Sequence, residues 1–143
     1  EPEARQYVLD NGLEQNVEFL GLVNQEKMVD FYQSGSILLF PSKPAGLSGK
    51  SEESSPYSVL EALACGVPVV AYRTGGLHEQ VRNGVNGYLV DPGNLDALAA
   101  CAAELLDNAG LLTQMSVAAR LHCVRDFSHI IMAQRYVKVY ECG

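Results

Sequence analysis

No apolar run in the chain reaches the roughly 18–20 residues that a bilayer crossing requires. Its first residues, EPEARQYVLD, lack the cationic-then-apolar pattern of a secretory leader. Cations are few: ten Lys and Arg stand against seventeen Asp and Glu, for a net charge of −7. They are also scattered, which argues against nucleic-acid binding, since that needs clustered cations to replace phosphate counterions. Cysteine is sparse and widely spaced, at Cys65, Cys101, Cys123 and Cys142, with no C-x-x-C pair. Only His122 adjoins a cysteine, and neighbouring residues on a helix point apart. A metal site is therefore not expected, and reduced, mostly buried thiols are. No G-x-S-x-G occurs, so a Ser-His-Asp hydrolase lacks its nucleophile turn. On this reading His78, His122 and His129 carry no chemistry. What the chain does have is 143 residues of which 48% are apolar, enough for one domain with a buried core. The expectation is a soluble, cytoplasmic α/β protein.

Apolar runs alternate with helical patterns. Residues 3–11 read as a helix closed by Gly12. A short strand is expected at 17–20, ending at Gly21. Asn24 is a good N-cap for a helix running to about Gln33, with Glu26 favoured in its first turn. Residues 37–40 form a continuous apolar strand of the kind buried on both faces of a parallel sheet. Residues 42–55 are too polar and too rich in breakers to be core. A helix is expected from about Pro56 to Ala64, a strand over 67–71, a helix over 77–83 and a strand over 87–90. Three helices complete the chain, at 95–107, at 109 to about 125, and from a cap at Asp126 or Ser128 to Tyr140. The last is amphipathic, with Ile130, Ile131, Ala133, Gln134, Val137 and Tyr140 at helical spacing. The fold class is α/β, a Rossmann-like parallel sheet with flanking helices, which binds ligands at the carboxyl ends of its strands.

The most informative segment is residues 53–83, ESSPYSVLEALACGVPVVAYRTGGLHEQVRN. Glu53, seven residues, then Glu61-Ala62-Leu63-Ala64-Cys65-Gly66-Val67-Pro68-Val69-Val70 follow one another. This resembles the donor-binding half of the retaining glycosyltransferases of the two-domain GT-B fold, group 1 and family-4-like. Those carry a glutamate, seven residues, and a glutamate opening E-A-x-A-x-G-x-P-V-[VI]. The resemblance runs from about Val17 to Tyr140. It implies that residues 1–143 are a partial C-terminal nucleotide-sugar-binding domain. Two strands, a Gly-Arg … Lys-Gly segment and the acceptor-holding N-terminal domain of the family have no counterpart here. In the usual order 3-2-1-4-5-6, the absent strands fall between 17–20 and 37–40. Either direct pairing of those two strands or an intermolecular sheet is then expected, with self-association.

Alone, Glu61 reads as a helix-dipole partner in a first turn. The resemblance makes it the acceptor for two ribose hydroxyls, which suits a carboxylate because it accepts in two directions. Glu53 alone reads as a solvated loop residue. The resemblance makes it the group facing the donor sugar, stabilising positive charge at the anomeric carbon. Its neighbour Glu52 would break the seven-residue interval. Backbone N–H groups of Tyr57, Ser58 and Val59 at a helix N-terminus suit a diphosphate. Hydroxyls of Ser55 and Ser58 add contacts there, or Ser54 or Ser55 simply caps the helix. Gly21 and Leu22 occupy the family's backbone shelf for the nucleobase, although turn formation alone explains Gly21. Lys43 and Lys50 are the cations expected near the site, on a loop read as a lid. Gly75, Gly76 and Glu79 read mainly as packing, with Glu79 pairing with Arg82 or a backbone amide.

The resemblance implies a hexosyltransferase. It moves a hexose from a UDP-, GDP- or ADP-sugar to a sugar, lipid or small-molecule acceptor with retention at the anomeric carbon. No cofactor is implied, and the absence of Asp-x-Asp fits metal-independent handling of the leaving diphosphate. Peripheral membrane association of the whole protein is also consistent with the family, and the 143-residue piece alone should not turn over. Two other readings stay open: a non-catalytic nucleotide-binding or interaction module of the same fold, and a related GT-B sugar-phosphate synthase or phosphorylase.

Overall fold

The computed structural model describes residues 2–42 and 56–141. Helix α1 (Pro2–Asp10) leads through coil to a single 3-10 turn (Gln25–Lys27) and α2 (Met28–Ser34). Strand β1 (Leu38–Phe40), α3 (Tyr57–Ala64), β2 (Val69–Tyr72), α4 (Leu77–Gln80) and β3 (Gly87–Val90) follow. Three helices close the described chain: α5 (Leu95–Asp107), α6 (Ala109–Phe127) and α7 (His129–Glu141). Among the described residues, no helix is long and apolar enough to cross a membrane.

The strands form one parallel sheet in the order β1-β2-β3. Leu38 pairs with Val69 and Phe40 with Ala71; on the other side Val69 pairs with Gly87 and Tyr72 with Val90. All four residues of the central β2 are buried, as a strand covered on both faces must be. Its side chains alternate between two cores. Val69, Ala71 and Leu89 pack with Tyr32 of α2, Leu63 of α3 and Ala119 of α6. Val70, Tyr72 and Val90 pack with Leu98 and Leu105 of α5 and Met115 of α6. The helices thus flank the sheet as the alternation of apolar runs implies.

Local chemistry fixes several boundaries. Gly66, at φ +78°, ends α3: its N–H donates to the Leu63 carbonyl at 3.0 Å, and the Val67 N–H donates to the Ala62 carbonyl at 2.9 Å. That pair of bonds satisfies carbonyls a helix end otherwise leaves open. At Gly87 an added Cβ would collide with the Val69 carbonyl, so β2 and β3 approach this closely because no side chain intervenes. Asn94 and Asn108 cap α5 and α6, accepting from the Ala97 and Leu111 N–H groups at 3.0 Å each. Asn24 caps as expected, accepting from the Glu26 N–H at 3.2 Å.

Two expectations need correction. Residues 17–20 are coil and pair neither with β1 nor with any other described strand. The Val17 N–H instead donates to the Leu13 carbonyl at 3.1 Å, and Arg5 lies over the Phe19 ring at 4.4 Å. An extended run becomes a strand only when it docks on a neighbouring ladder, and residues 17–20 are not docked on the open outer edge of β1. The helix expected over 77–83 stops at Gln80. There the Asn86 side chain draws the chain away, accepting from the Arg82 N–H at 2.6 Å and donating to the Gln80 carbonyl at 3.0 Å. The final helix expected to Tyr140 is present as α7, and none of its residues is buried.

Candidate functional site

In a parallel sheet the chain leaves β1 at its carboxyl end and must re-enter β2 from the other. The helix between them, α3, therefore starts at the carboxyl ends. Pro56 is the N-cap of α3, with ψ 124° and no side chain able to cap; the expectation that Ser54 or Ser55 sits at that position is corrected. The Val59 N–H donates to the Pro56 carbonyl at 3.2 Å, and the Val59 side chain is fully buried. Of the three N–H groups assigned to an anion, those of Tyr57 and Ser58 have no acceptor among the described residues. Tyr57 is 80% exposed, and with Leu60, Phe127 and Tyr136 it lines a cavity beside α7.

Glu61 lies in the second turn of α3, not the first, about 6 Å below the helix start at 1.5 Å per residue. A helix-dipole role is thereby removed, since that effect fades within the first turn. Its carboxylate is instead held laterally. The Tyr32 hydroxyl of α2 donates to Glu61 Oε2 at 3.2 Å. Tyr32 is 7% exposed. Burial first, then the Glu61 charge, push its hydroxyl up to about 12, so it stays a donor at any physiological pH. Beside this pair a cavity of about 310 Å³ is lined by Gln25, Met28, Val29, Tyr32, Glu61 and Cys65, among others. Burial also pushes the Cys65 thiol up, with Arg120 opposing and Glu61 adding. Nothing in the sequence joins Tyr32 to Glu61 at a separation of 29 residues.

Gly21 turns the chain with φ +65°, and Leu22 is fully exposed. Both lie in the coil that precedes the 3-10 turn bearing Gln25, a residue of the Glu61 cavity. Glu53, its neighbour Glu52, Ser55, and Lys43 and Lys50 fall outside the described residues. Arg73, immediately after β2, adds a cation at the carboxyl edge that the sequence reading passed over. Its backbone N–H donates to the Val90 carbonyl at 2.7 Å and its guanidinium to the Leu89 carbonyl at 3.4 Å.

A second cluster was also passed over. His122, 6% exposed, places Nδ1 2.7 Å from Asp126 Oδ2, and its ring meets Phe127 edge-on at 5.4 Å. Arg82 reaches the same carboxylate at 3.2 Å, so it pairs with Asp126 and not with Glu79. Arg125 lies at 2.7 Å. The Arg125 hydrogen bond and charge, with His122 adding and desolvation opposing, hold the Asp126 carboxyl well below the usual carboxylate range. Asp126 is thus an ion-pair hub inside α6, and Ser128 caps α7 through its bond from the Ile131 N–H at 3.4 Å. The i,i+4 spacing of His122 and Asp126 was a readable signal.

Residues 2–122 match the family model "Glycosyl transferases group 1". The chain is 32% identical over 133 residues to the GDP-mannose-dependent monoacylated alpha-(1-6)-phosphatidylinositol monomannoside mannosyltransferase of Corynebacterium glutamicum, covering 93% of this chain and 34% of that protein. It is 37% identical over 116 residues to the D-inositol 3-phosphate glycosyltransferase of Thermobispora bispora, covering 81% and 25%. In structure it is similar to Anabaena HepE solved in complex with UDP, with TM-score 0.83 and 24% identity over 99% of this chain and 36% of that one. The chain spans between a quarter and about a third of the length of these proteins. With a matching family model over most of its length and the parallel sheet and flanking helices of the GT-B fold, the chain belongs to the group 1 glycosyltransferases.

Proposed function

We propose that this chain binds the nucleotide-sugar donor of a retaining hexosyltransferase, with Glu61 accepting from the ribose hydroxyls and Glu53 facing the sugar. The observation that carries the reading is Glu61 itself. It stands in the Glu53-to-Glu61 interval, one turn inside a helix that begins at the sheet's carboxyl ends, with its carboxylate already oriented by Tyr32. A carboxylate so placed can accept from both hydroxyls of a vicinal diol. The diphosphate then lies toward the α3 N-terminus, where the Tyr57 and Ser58 N–H groups and the helix dipole favour negative charge; the Ser55 and Ser58 hydroxyls are further contacts there. Gly21 and Leu22 form the edge on which the nucleobase rests.

In the reaction, the bond between the anomeric carbon and the diphosphate oxygen breaks, and the acceptor oxygen bonds to the same face. The acceptor's proton passes to the departing phosphate oxygen. Glu53 stabilises the positive charge that develops on the sugar, and the helix end stabilises the negative charge on the leaving group. A relative named for GDP-mannose and a structural neighbour holding UDP favour a nucleotide-activated hexose as the donor, and a relative named for inositol 3-phosphate favours a polyol among the acceptors. A sugar, lipid or small polyol is the acceptor, bound by parts of the protein outside this chain. Three free thiols among the described residues fit a reducing, cytoplasmic setting, with membrane contact peripheral where the acceptor is a lipid.

The test uses the full-length protein with a panel of UDP-, GDP- and ADP-hexoses and proton NMR of the product's anomeric signal. The expected product keeps the donor's anomeric configuration, and Glu53→Ala lowers turnover far more than donor affinity. An inverted product, or a Glu53→Ala variant with wild-type turnover, contradicts the proposal.

A further inference from the structure

We propose that Tyr32 is a positioning residue for ribose recognition: its buried hydroxyl fixes one oxygen of Glu61 so that the other presents its lone pairs to a vicinal diol. This rests on the ribose reading of Glu61 and adds a residue that the glutamate motif does not contain. Glu61 is itself exposed, and an exposed glutamate on a helix samples several rotamers. Tyr32 does not. Its ring is 7% exposed and packs in the core with Val59, Ala62 and Leu63 of α3, so its hydroxyl arrives at Glu61 Oε2, 3.2 Å away, from a fixed base. A carboxylate offers about four lone-pair sites, and one bond from Tyr32 leaves enough for both hydroxyls of a diol. Ordering the carboxylate before the ligand arrives removes part of the cost of ordering it on binding. The adjoining cavity of about 310 Å³ has Tyr32 and Glu61 as its two acid–base side chains besides the Cys65 thiol. The competing account is that Tyr32 only fills the core and that its hydroxyl finds Glu61 as a convenient partner.

Ribose against dideoxyribose separates the two. Isothermal titration of the full-length protein compares UDP, GDP and ADP, then the tightest binder with its 2′,3′-dideoxy counterpart. The wild type should prefer the ribonucleotide by about tenfold or more, the worth of a hydrogen bond to a charged group. Tyr32→Phe should shrink that preference by roughly fivefold, a value typical for one net hydrogen bond, while dideoxynucleotide affinity stays unchanged. Where Tyr32→Phe melts below the assay temperature, 3-fluorotyrosine at position 32 keeps the ring and strengthens the O–H donor, and the preference should shift. If Tyr32→Phe weakens both ligands equally, or if neither substitution moves the preference, Tyr32 is a core residue and the inference falls while the ribose reading stands. A wild type that binds the two ligands equally overturns the ribose reading and the inference with it.

Discussion

Asp126 shows how one residue sets a pH dependence. Its folded pKa is depressed, chiefly by Arg125 and then by His122, with desolvation opposing, and the Arg82 guanidinium lies 3.2 Å from the same carboxylate. A carboxyl group of this kind contributes stability that is fully present above the ordinary aspartate value of about 3.9 and is lost as pH falls toward the depressed folded value. Acid unfolding followed by circular dichroism should therefore steepen below about pH 4, and Asp126→Asn should flatten that limb while lowering stability at neutral pH. An Asp126→Asn variant with the wild-type acid profile contradicts the assignment. Legibility at this scale follows sequence distance. Glu61 was readable because its motif is contiguous, and His122–Asp126 was open to reading at i,i+4. The contacts Tyr32–Glu61 and Arg82–Asp126 join separate elements, and no local pattern encodes them.

Among the elements, the most legible were those whose start and stop signals are local. The run Val69 to Tyr72 is buried throughout, and α5 and α6 end and begin at an asparagine cap. Residues 17–20, apolar except for Glu18, form no strand, because pairing depends on a partner that the pattern does not specify. Glu61 is a different case: the start of α3 at Pro56 was legible, and counting from it already puts Glu61 in the second turn. At β3 the decisive residue is Gly87, whose hydrogen faces the Val69 backbone. Gly87→Ala forces β2 and β3 apart and should cost roughly 2 kcal/mol or more, the range for overpacking a well-packed site. Urea denaturation measures this; a loss within about 0.5 kcal/mol, the usual effect of a surface change, shows that the approach is not constrained.

For the molecule as a whole, two surfaces stand unpartnered among the described residues. The outer edge of β1 has no neighbouring strand, and Leu39 on it is 49% exposed. Along α7, Ile130, Met132, Tyr136, Val139 and Tyr140 are all more than half exposed. Open strand edges and contiguous apolar surface both favour association. We expect the 143-residue chain to sediment as a dimer or larger at micromolar concentration; a monomer across that range contradicts the expectation.

The central claim is that Glu61 receives the ribose of a nucleotide donor, and one titration tests it most directly. UDP, GDP and ADP are titrated calorimetrically into the full-length protein and into Glu61→Ala, with thermal melting to verify that both are folded. The account predicts that one of the three nucleotides binds the wild type and that Glu61→Ala weakens it by roughly tenfold or more, as expected for loss of hydrogen bonds to a charged group. Unchanged nucleotide affinity in folded Glu61→Ala would contradict it.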